Sequence, residues 1–311
     1  IVALLKKTDI AKILEEFGTQ GKNDAVIHFY ESFLGAFDPK LKKEMGVFYT
    51  PDPVVDYMVR SVDSLLVSKF NRKKGLADDK TLVLDPALGT GSFLHKVIET
   101  IHSRVHKGAW DSYVSEKLMD RIFGFEILMA PYAVAHLNLG IQLQKSGYTF
   151  ERDQRLGVFL TNTLEETAKR SEVLFADWIS EEANAAASIK RNRPIMVVTG
   201  NPPYNGISAN KNSWIEGLLK GFDNLSNRKV ANYFEVDGQP INEKKHWLND
   251  DYVKFIRFAQ WRIEQTGHGI LGFITNHGFL DNPTFRGMRH AILKDFDEIY
   301  ILDLHGNKKK K

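Results

Sequence analysis

The sequence predicts an α/β fold, a mostly parallel sheet with helices on both faces, entered through an N-terminal helical segment. Three observations predict it. Short apolar runs alternate with stretches of helical periodicity from Thr81 onward, the pattern of strand–helix–strand units whose crossovers set parallel strands side by side. Asp85, Glu126 and Asn201 each close or follow one of those apolar runs, which puts them at the carboxyl ends of strands, where sheets of this kind bind ligands. The composition is that of a folded chain, with 311 residues, 43% hydrophobic and 26% charged, enough for one large domain or two small ones.

The elements follow in order. Ile10, Ile13, Leu14 and Phe17 share one helical face, and Val26, Phe29, Tyr30, Phe33 and Leu34 another. They predict two helices leading into the main domain. Lys40 to Glu44 is a charged linker, so residues 1–45 are expected to be a helical coupling segment and 46–311 the catalytic domain. Thr50-Pro51-Asp52-Pro53 opens a helix, proline being suited to a first turn. Val54, Val55, Met58, Val59, Val62, Leu65 and Leu66 give that helix its apolar face. Leu82-Val83-Leu84 is a short buried strand, followed by a glycine turn and a helix from about Ser92. Ile122-Phe123-Gly124-Phe125 is the second strand, and a helix runs from about Pro131 to Lys145. Val158-Phe159-Leu160 is the third strand and Ile195 to Thr199 the fourth. A helix over Tyr252 to Gln265 precedes a fifth strand at Gly269 to Ile274, and a helix over Phe285 to Leu293 precedes a sixth at Ile299 to Leu302. Between them, Asn205 to Asp250 is a long insert rich in Asn, Lys and Gly with scattered aromatics. Connections of that length are functional or mobile more often than not.

Several classes are excluded. The chain has no cysteine, so disulfides and cysteine-based zinc sites are ruled out and a reducing compartment is permitted. No apolar run reaches the ~18–20 residues of a membrane span. The formal charge is +3 with a pI near 8.8, compatible with DNA binding without arguing for it. The first residue is Ile1, from which a processed chain or a piece of a longer one is expected.

The first strand ends in Asp85-Pro86-Ala87-Leu88-Gly89-Thr90-Gly91-Ser92-Phe93. Gly89 and Gly91 let backbone approach a ligand closely, and the next helix offers its N-terminus to a carboxylate. Asp85 can accept from a cationic amino group and Glu126 from two ribose hydroxyls. An ammonium, a carboxylate and a ribose together describe S-adenosylmethionine. A dinucleotide is the nearest rival, but it wants a third glycine where Leu94 stands and an acidic strand end after ~20 residues. The bland alternative is a plain tight turn.

The fourth strand feeds Asn201-Pro202-Pro203-Tyr204. An amino nitrogen conjugated to a purine ring is a poor nucleophile, and two acceptors on its hydrogens would pull it towards tetrahedral geometry. The Asn201 side-chain oxygen and the Pro202 carbonyl are candidates, held in place because prolines restrict the backbone. Tyr204 offers a face for stacking an extruded base. No metal and no strong general base are required. The bland alternative is a Pro-Pro turn with Tyr204 in the core.

Together these motifs resemble the N6-adenine DNA methyltransferases. The order is Gly46-Val47-Phe48-Tyr49-Thr50-Pro51, then the cofactor turn, then Asn-Pro-Pro-Tyr, as in the gamma arrangement. The resemblance implies a Rossmann-like S-adenosylmethionine-dependent methyltransferase fold. It implies that Tyr49, Thr50 and Pro51 line the cofactor pocket, together with Asp85, Pro86, Ala87, Gly89, Thr90, Gly91, Ser92, Glu126, Ile127 and Asn201, and that Asn162 lies by the cofactor's adenine. A closer resemblance is to the methyltransferase region of large single-chain restriction-modification enzymes, carried by His28-Phe29-Tyr30-Glu31, Phe37-Asp38-Pro39, Asp251-Tyr252-Val253-Lys254-Phe255-Ile256-Arg257 and Leu302-Asp303-Leu304-His305-Gly306-Asn307. It implies double-stranded DNA as substrate, a prokaryotic cytoplasm, and nuclease, helicase-like and target-recognition domains in the same or an associated polypeptide. The recognition domain is expected beyond Lys311, which leaves this stretch to bind DNA weakly and without sequence preference. Two other functions fit the motifs: methylation of a glutamine side-chain amide in a protein, and a DNA-binding or assembly module with a vestigial pocket.

Elsewhere the plain reading prevails. His28, His95, His102 and His106 read as surface or packing residues, and Lys308 to Lys311 as a solvated tail. Trp214 and Trp247 either contact DNA or anchor the insert. Asp303 and His305 sit at the end of the sixth strand with no evident partner.

Overall fold

Strands covered on both faces need apolar residues pointing both ways, and the central strands here have them. The computed structural model describes residues 50–151, 154–166, 176–204, 206, 208, 210–241 and 245–305. The expected N-terminal helices, the charged linker, Tyr49 and the lysine run lie outside the described residues.

In chain order the first half comprises α1 (Asp52–Lys69), β1 (Val83–Asp85), α2 (Ser92–Arg104), the short α3 (Trp110–Tyr113), β2 (Ile122–Glu126), α4 (Met129–Lys145), β3 (Gly157–Leu160), α5 (Ala176–Asn192) and β4 (Val197–Gly200). The second half comprises α6 (Ser213–Leu219), β5 (Lys220–Asp223), β6 (Arg228–Asn232), β7 (Glu235–Val236), β8 (Gln239–Pro240), α7 (Asp251–Thr266), β9 (Ile270–Phe273) and α8 (Arg286–Asp295). The main sheet has five strands in the order β3-β2-β1-β4-β9, and every neighbouring pair is parallel.

Alternation sorts the strand residues into two cores. Val83, Ile122, Val158 and Val197 pack with α1, α2 and α4 through Val59, Leu66, Leu94, Ile98 and Leu139. Leu84, Phe123, Phe125, Phe159 and Val198 pack with α5, α6 and α7 through Ile189, Ile215, Phe255 and Phe258. Helices cover both faces, as the sequence predicts, and strands buried on both sides read as continuous apolar runs. The strands and helices anticipated between Thr50 and Asp295 appear with ends shifted by a few residues.

Three features differ from expectation. Ile299 to Leu302 forms no strand, and its side chains are 41–68% exposed. High β-propensity does not make a strand without a ladder partner, and β9 is the edge of the sheet among the described residues. Asp303 and His305 pair with each other in a local turn, the His305 N–H donating to Asp303 Oδ1 at 2.8 Å. The alanine-rich α5, absent from the sequence reading, forms a helix whose Ala186 and Ile189 are buried in the second core.

The insert, which reads as a long connection, is folded. It contains α6 and two antiparallel hairpins, β5–β6 and β7–β8. Asn212 caps α6 by accepting from the Ile215 N–H at 3.1 Å. Tyr233 is fully buried and its hydroxyl donates to Gln260 at 2.7 Å. A Cβ at Gly287 would collide with the Tyr233 carbonyl, so α8 rests directly on the hairpin backbone. Trp214 is 3% exposed and meets Trp261 edge-on at 5.2 Å and Phe258 at 6.2 Å. It therefore anchors the insert on α7, whereas Trp247 is 46% exposed.

Trp214→Ala removes that anchor and is expected to destabilise the fold by ~3–5 kcal/mol in urea denaturation, the usual loss for truncating a buried aromatic. A loss below ~0.5 kcal/mol, the range of surface substitutions, would show that the insert stands free of the core.

Candidate active site

The strand order fixes where a site can form. The chain leaves β1 towards β2 and β3, then returns to place β4 on the other side of β1. In sheets of this kind such a reversal is where ligands bind, at the carboxyl ends of the two strands, here β1 and β4. Asp85 ends β1, Glu126 ends β2, Thr161 and Asn162 follow β3, and Asn201 follows β4. The motifs separated in sequence thus meet along one sheet edge.

The turn after β1 is built on its own carboxylates. Asp85 Oδ1 accepts from the Ala87 N–H at 3.0 Å. Glu126 Oε2 accepts from the Gly89 N–H at 2.8 Å, and its Oε1 from the Leu128 N–H at 2.8 Å. Gly89 and Gly91 have φ of 57° and 90°, the left-handed region that glycine enters without penalty. Gly91 caps α2, whose first residue is Ser92. Thr90 is buried, and its carbonyl accepts from Asn138 at 3.3 Å. The Pro86 carbonyl accepts from the Thr163 hydroxyl.

Asp85 is 1% exposed, and its Oδ2 has no hydrogen-bond partner among the described residues. Burial pushes its carboxyl up to about 8; the Ala87 N–H pulls it down and the Glu126 charge pushes it further up. Burial likewise pushes Glu126 up to about 7, against the Leu128, Gly89 and Ile127 N–H groups, which pull it down. An unpartnered buried carboxylate oxygen is costly to keep. It is a ready acceptor for a cationic amino group, and perturbed carboxyls in a cleft mark functional sites. Beside Glu126, Ile127 is 58% exposed, an apolar side chain open to a ligand.

The tetrapeptide is held by its own side chains and by the start of α1. Asn201 Nδ2 donates to Thr50 Oγ1 at 3.0 Å, and Asn201 Oδ1 accepts from the Tyr204 hydroxyl at 2.8 Å. Both ends of the amide are engaged, so its oxygen has a set direction. Burial pushes the Tyr204 phenol upward, keeping it neutral and a donor. Pro202 is buried and Pro203 half-buried. The Tyr204 ring lies 6.1 Å from that of Tyr252 at the start of α7.

The structure brings Asp85, Pro86, Ala87, Gly89 and Glu126 together at the turn after β1 through separate hydrogen bonds, and joins Thr50, Asn201 and Tyr204 in one hydrogen-bonded set. Pro51 stands exposed at the head of α1. Asn162 follows β3, but its side chain is engaged: Nδ2 donates to Asn210 at 2.8 Å and Oδ1 accepts from the Leu164 N–H at 3.0 Å. Among the described residues no cluster of three His, Asp or Glu could hold a metal ion. Sequence reasoning missed Gly200. A Cβ there would lie 2.5 Å from Asp85 Oδ1, so the residue before Asn201 must leave room for the buried carboxylate on the neighbouring strand. The signal was present, since a glycine directly precedes the tetrapeptide.

Residues 21–283 match the sequence profile of the N-6 DNA Methylase family. The chain is 23% identical over 261 residues to the Type II methyltransferase M.BstVI of Geobacillus stearothermophilus, covering 84% of this chain and 38% of that protein. It is 24% identical over 271 residues to M.BanIII of Aneurinibacillus aneurinilyticus, covering 86% of this chain and 36% of that protein. It therefore spans well under half the length of these curated relatives. Among solved structures, the DrdV–DNA complex superposes with a TM-score of 0.68 at 29% identity, over 90% of this chain and 25% of that one. The DNA-bound Type ISP restriction-modification enzyme LlaBIII shares the fold, with a TM-score of 0.64 at 23% identity over 89% of this chain and 18% of that one.

Two predictions follow from this geometry. Gly200→Ala forces Asp85 off its Ala87 bond or shifts the strand, and should cost ~1–3 kcal/mol, as overpacking does; a wild-type urea midpoint would show the carboxylate is not confined. The second concerns pH. Asp85 and Glu126 sit at about 8 and about 7 in the fold against 3.8 and 4.5 ordinarily, so the folded state holds their protons more tightly than the unfolded chain does. Their contribution to stability is complete below about pH 4 and is lost as pH rises to about 8. Asp85→Asn, which cannot ionise, should gain in melting temperature on the wild type between pH 5.5 and 8.5. Parallel pH curves for the two proteins would refute the assignment.

Proposed function

The chain belongs to the N-6 DNA methylase family, and we propose that it transfers a methyl group from S-adenosylmethionine to the N6 amino group of adenine in double-stranded DNA, within a restriction-modification system. One observation carries this reading. The unpartnered oxygen of Asp85 and the oriented amide of Asn201 stand at the ends of adjoining strands, and Gly200, the residue before Asn201, lies against the Asp85 carboxylate. A cation-binding carboxylate and an amino-group acceptor are what a methyl donor and its acceptor nitrogen require side by side.

S-adenosylmethionine, when bound, supplies an electrophilic methyl group on a sulfonium. This chain's residues do the rest. Asp85 Oδ2 takes the ammonium of the methionine tail, and the N-terminus of α2 faces its carboxylate. The Glu126 oxygens accept from the Gly89 and Leu128 N–H groups and keep lone-pair capacity for a ribose hydroxyl. Ile127 gives an apolar surface beside them. Tyr49, Thr50, Pro51, Pro86, Ala87, Gly89, Thr90, Gly91 and Ser92 complete the cofactor side, with Asn162 near the adenine end.

On the target side, Asn201 Oδ1 and the Pro202 carbonyl accept the two hydrogens of the adenine amino group. The nitrogen is drawn towards tetrahedral geometry and its lone pair is freed for attack. Tyr204 aims the Asn201 oxygen before the base arrives, so little reorganisation remains for the transfer. Its ring offers a stacking face for a base taken out of the duplex. The match to DNA methylases favours DNA over a protein glutamine. The DNA in the DrdV complex supports DNA as the partner, and the greater length of the relatives is in keeping with nuclease, helicase-like and target-recognition domains in the same or an associated polypeptide; the compartment proposed with them is a prokaryotic cytoplasm.

The test is nucleoside mass spectrometry of unmethylated DNA incubated with protein and S-adenosylmethionine. N6-methyladenine is expected, and methylated cytosine or none would overturn the assignment. Asn201→Ala should lower turnover by at least ~10²-fold, the scale for losing one preorganised polar group, while calorimetry finds cofactor still bound. Turnover near wild type in that variant would exclude attack organised by Asn201.

A further inference from the structure

A set of buried polar side chains lies just beyond the tetrapeptide, outside the groups assigned to cofactor or target. Ser208, Asp251 and Lys254 are 4%, 6% and 1% exposed. The Ser208 hydroxyl donates to Asp251 Oδ1 at 2.6 Å and accepts from Lys254 Nζ at 2.8 Å and from the Asn210 N–H at 3.1 Å. Asn210 Nδ2 donates to the same Asp251 oxygen at 2.9 Å, and the Asn210 carbonyl accepts from Lys254 Nζ. Asp251 and Lys254 stand one turn apart at the head of α7 and grip this segment from one side.

From the other side it is held by the turn after β3. Asn210 Oδ1 accepts from Asn162 Nδ2 at 2.8 Å, and Asn212 Nδ2 donates to the Leu164 carbonyl at 2.8 Å. That turn is itself fixed. The buried Lys190 ammonium donates to the carbonyls of Asn162 and Glu165 at 2.7 and 2.9 Å, and the Thr163 hydroxyl donates to the carbonyl of Pro86 in the cofactor turn. A continuous path of hydrogen bonds thus joins α7, the chain leaving the tetrapeptide, the turn after β3 and the turn after β1.

Burying an ammonium and a carboxylate costs free energy, and apolar side chains of similar volume would fill the space more cheaply. What the polar set adds is one defined geometry, because its bonds are satisfied in a single arrangement. We propose that Asp251 and Lys254 are positioning residues for methyl transfer: through Ser208 and Asn210 they dock the chain leaving Asn-Pro-Pro-Tyr onto the turn after β3, so that target side and cofactor side form one rigid body. This rests on the function proposed above. Asn162 then acts as a strut between the two halves.

Ser208→Ala and Asn210→Ala test it, with two readouts. Hydrogen–deuterium exchange should quicken about tenfold, the worth of one or two hydrogen bonds, in peptides over 206–212 and also over 161–165, while β1 and β2 peptides stay unchanged. Methyl transfer to unmethylated genomic DNA should fall about ten- to a hundred-fold in kcat, as for displaced reacting groups, a larger change than any in KM for S-adenosylmethionine, since Asp85 and Glu126 lie outside the set and only Asn162 of the cofactor side touches it. Unaltered exchange over 161–165 overturns the docking. Quickened exchange with wild-type kcat overturns the positioning role and leaves a structural tie only. A wild-type chain that methylates no DNA refutes the proposed function and the positioning role with it, and the exchange readout alone then decides the docking.

Discussion

The contact between Asp85 and Gly200 governs the site. A short carboxylate is buried at the end of β1, and the neighbouring strand passes so close that only a residue without a Cβ fits beside it. Because β1 and β4 are parallel and in register, that contact also decides where Asn201 emerges. Asp85 and Asn201 are therefore set by one steric fit between adjacent strands. Neither can shift along its strand without disturbing the other.

Keeping two carboxylates dry at one edge of a sheet is unfavourable, and the rest of the edge is arranged around that. The backbone N–H groups of Ala87, Gly89 and Leu128 donate to Asp85 and Glu126, supplying part of the solvation that water would give. The glycine turn contributes, since Gly89 donates to Glu126 from a left-handed conformation that glycine enters without penalty. The Asp85 oxygen left without a partner is the uncompensated remainder.

The second half of the chain gives this edge its walls. The insert is tied down by Trp214, Tyr233 and the close approach of Gly287, three large or tight contacts with α7 and α8. These contacts extend the apolar core past the end of the sheet, with Tyr204 against its margin. The chain leaving the tetrapeptide is consequently backed by folded structure, and the buried polar set at the head of α7 has a firm base to act from.

The sequence by itself determined the class of fold and most of its elements, because buried parallel strands and amphipathic helices are written in local periodicity. Asp85, Gly89, Gly91, Glu126 and Asn201 were legible as candidates for the site, since a turn motif and its chemistry lie within a few consecutive positions. Tertiary structure alone decided the rest. Ile299 to Leu302 has every local mark of a strand, yet a strand exists only where another offers a ladder. The insert reads as a polar connection because its aromatics are scattered, and they converge only when α7 and α8 are packed. Gly200, Ser208, Asn210 and Lys254 owe their importance to neighbours distant in the chain, Asp85 on another strand for the first and a shared buried network for the others. No local pattern encodes such proximity. It arises from the order in which the strands lie, and a sequence states that order only indirectly.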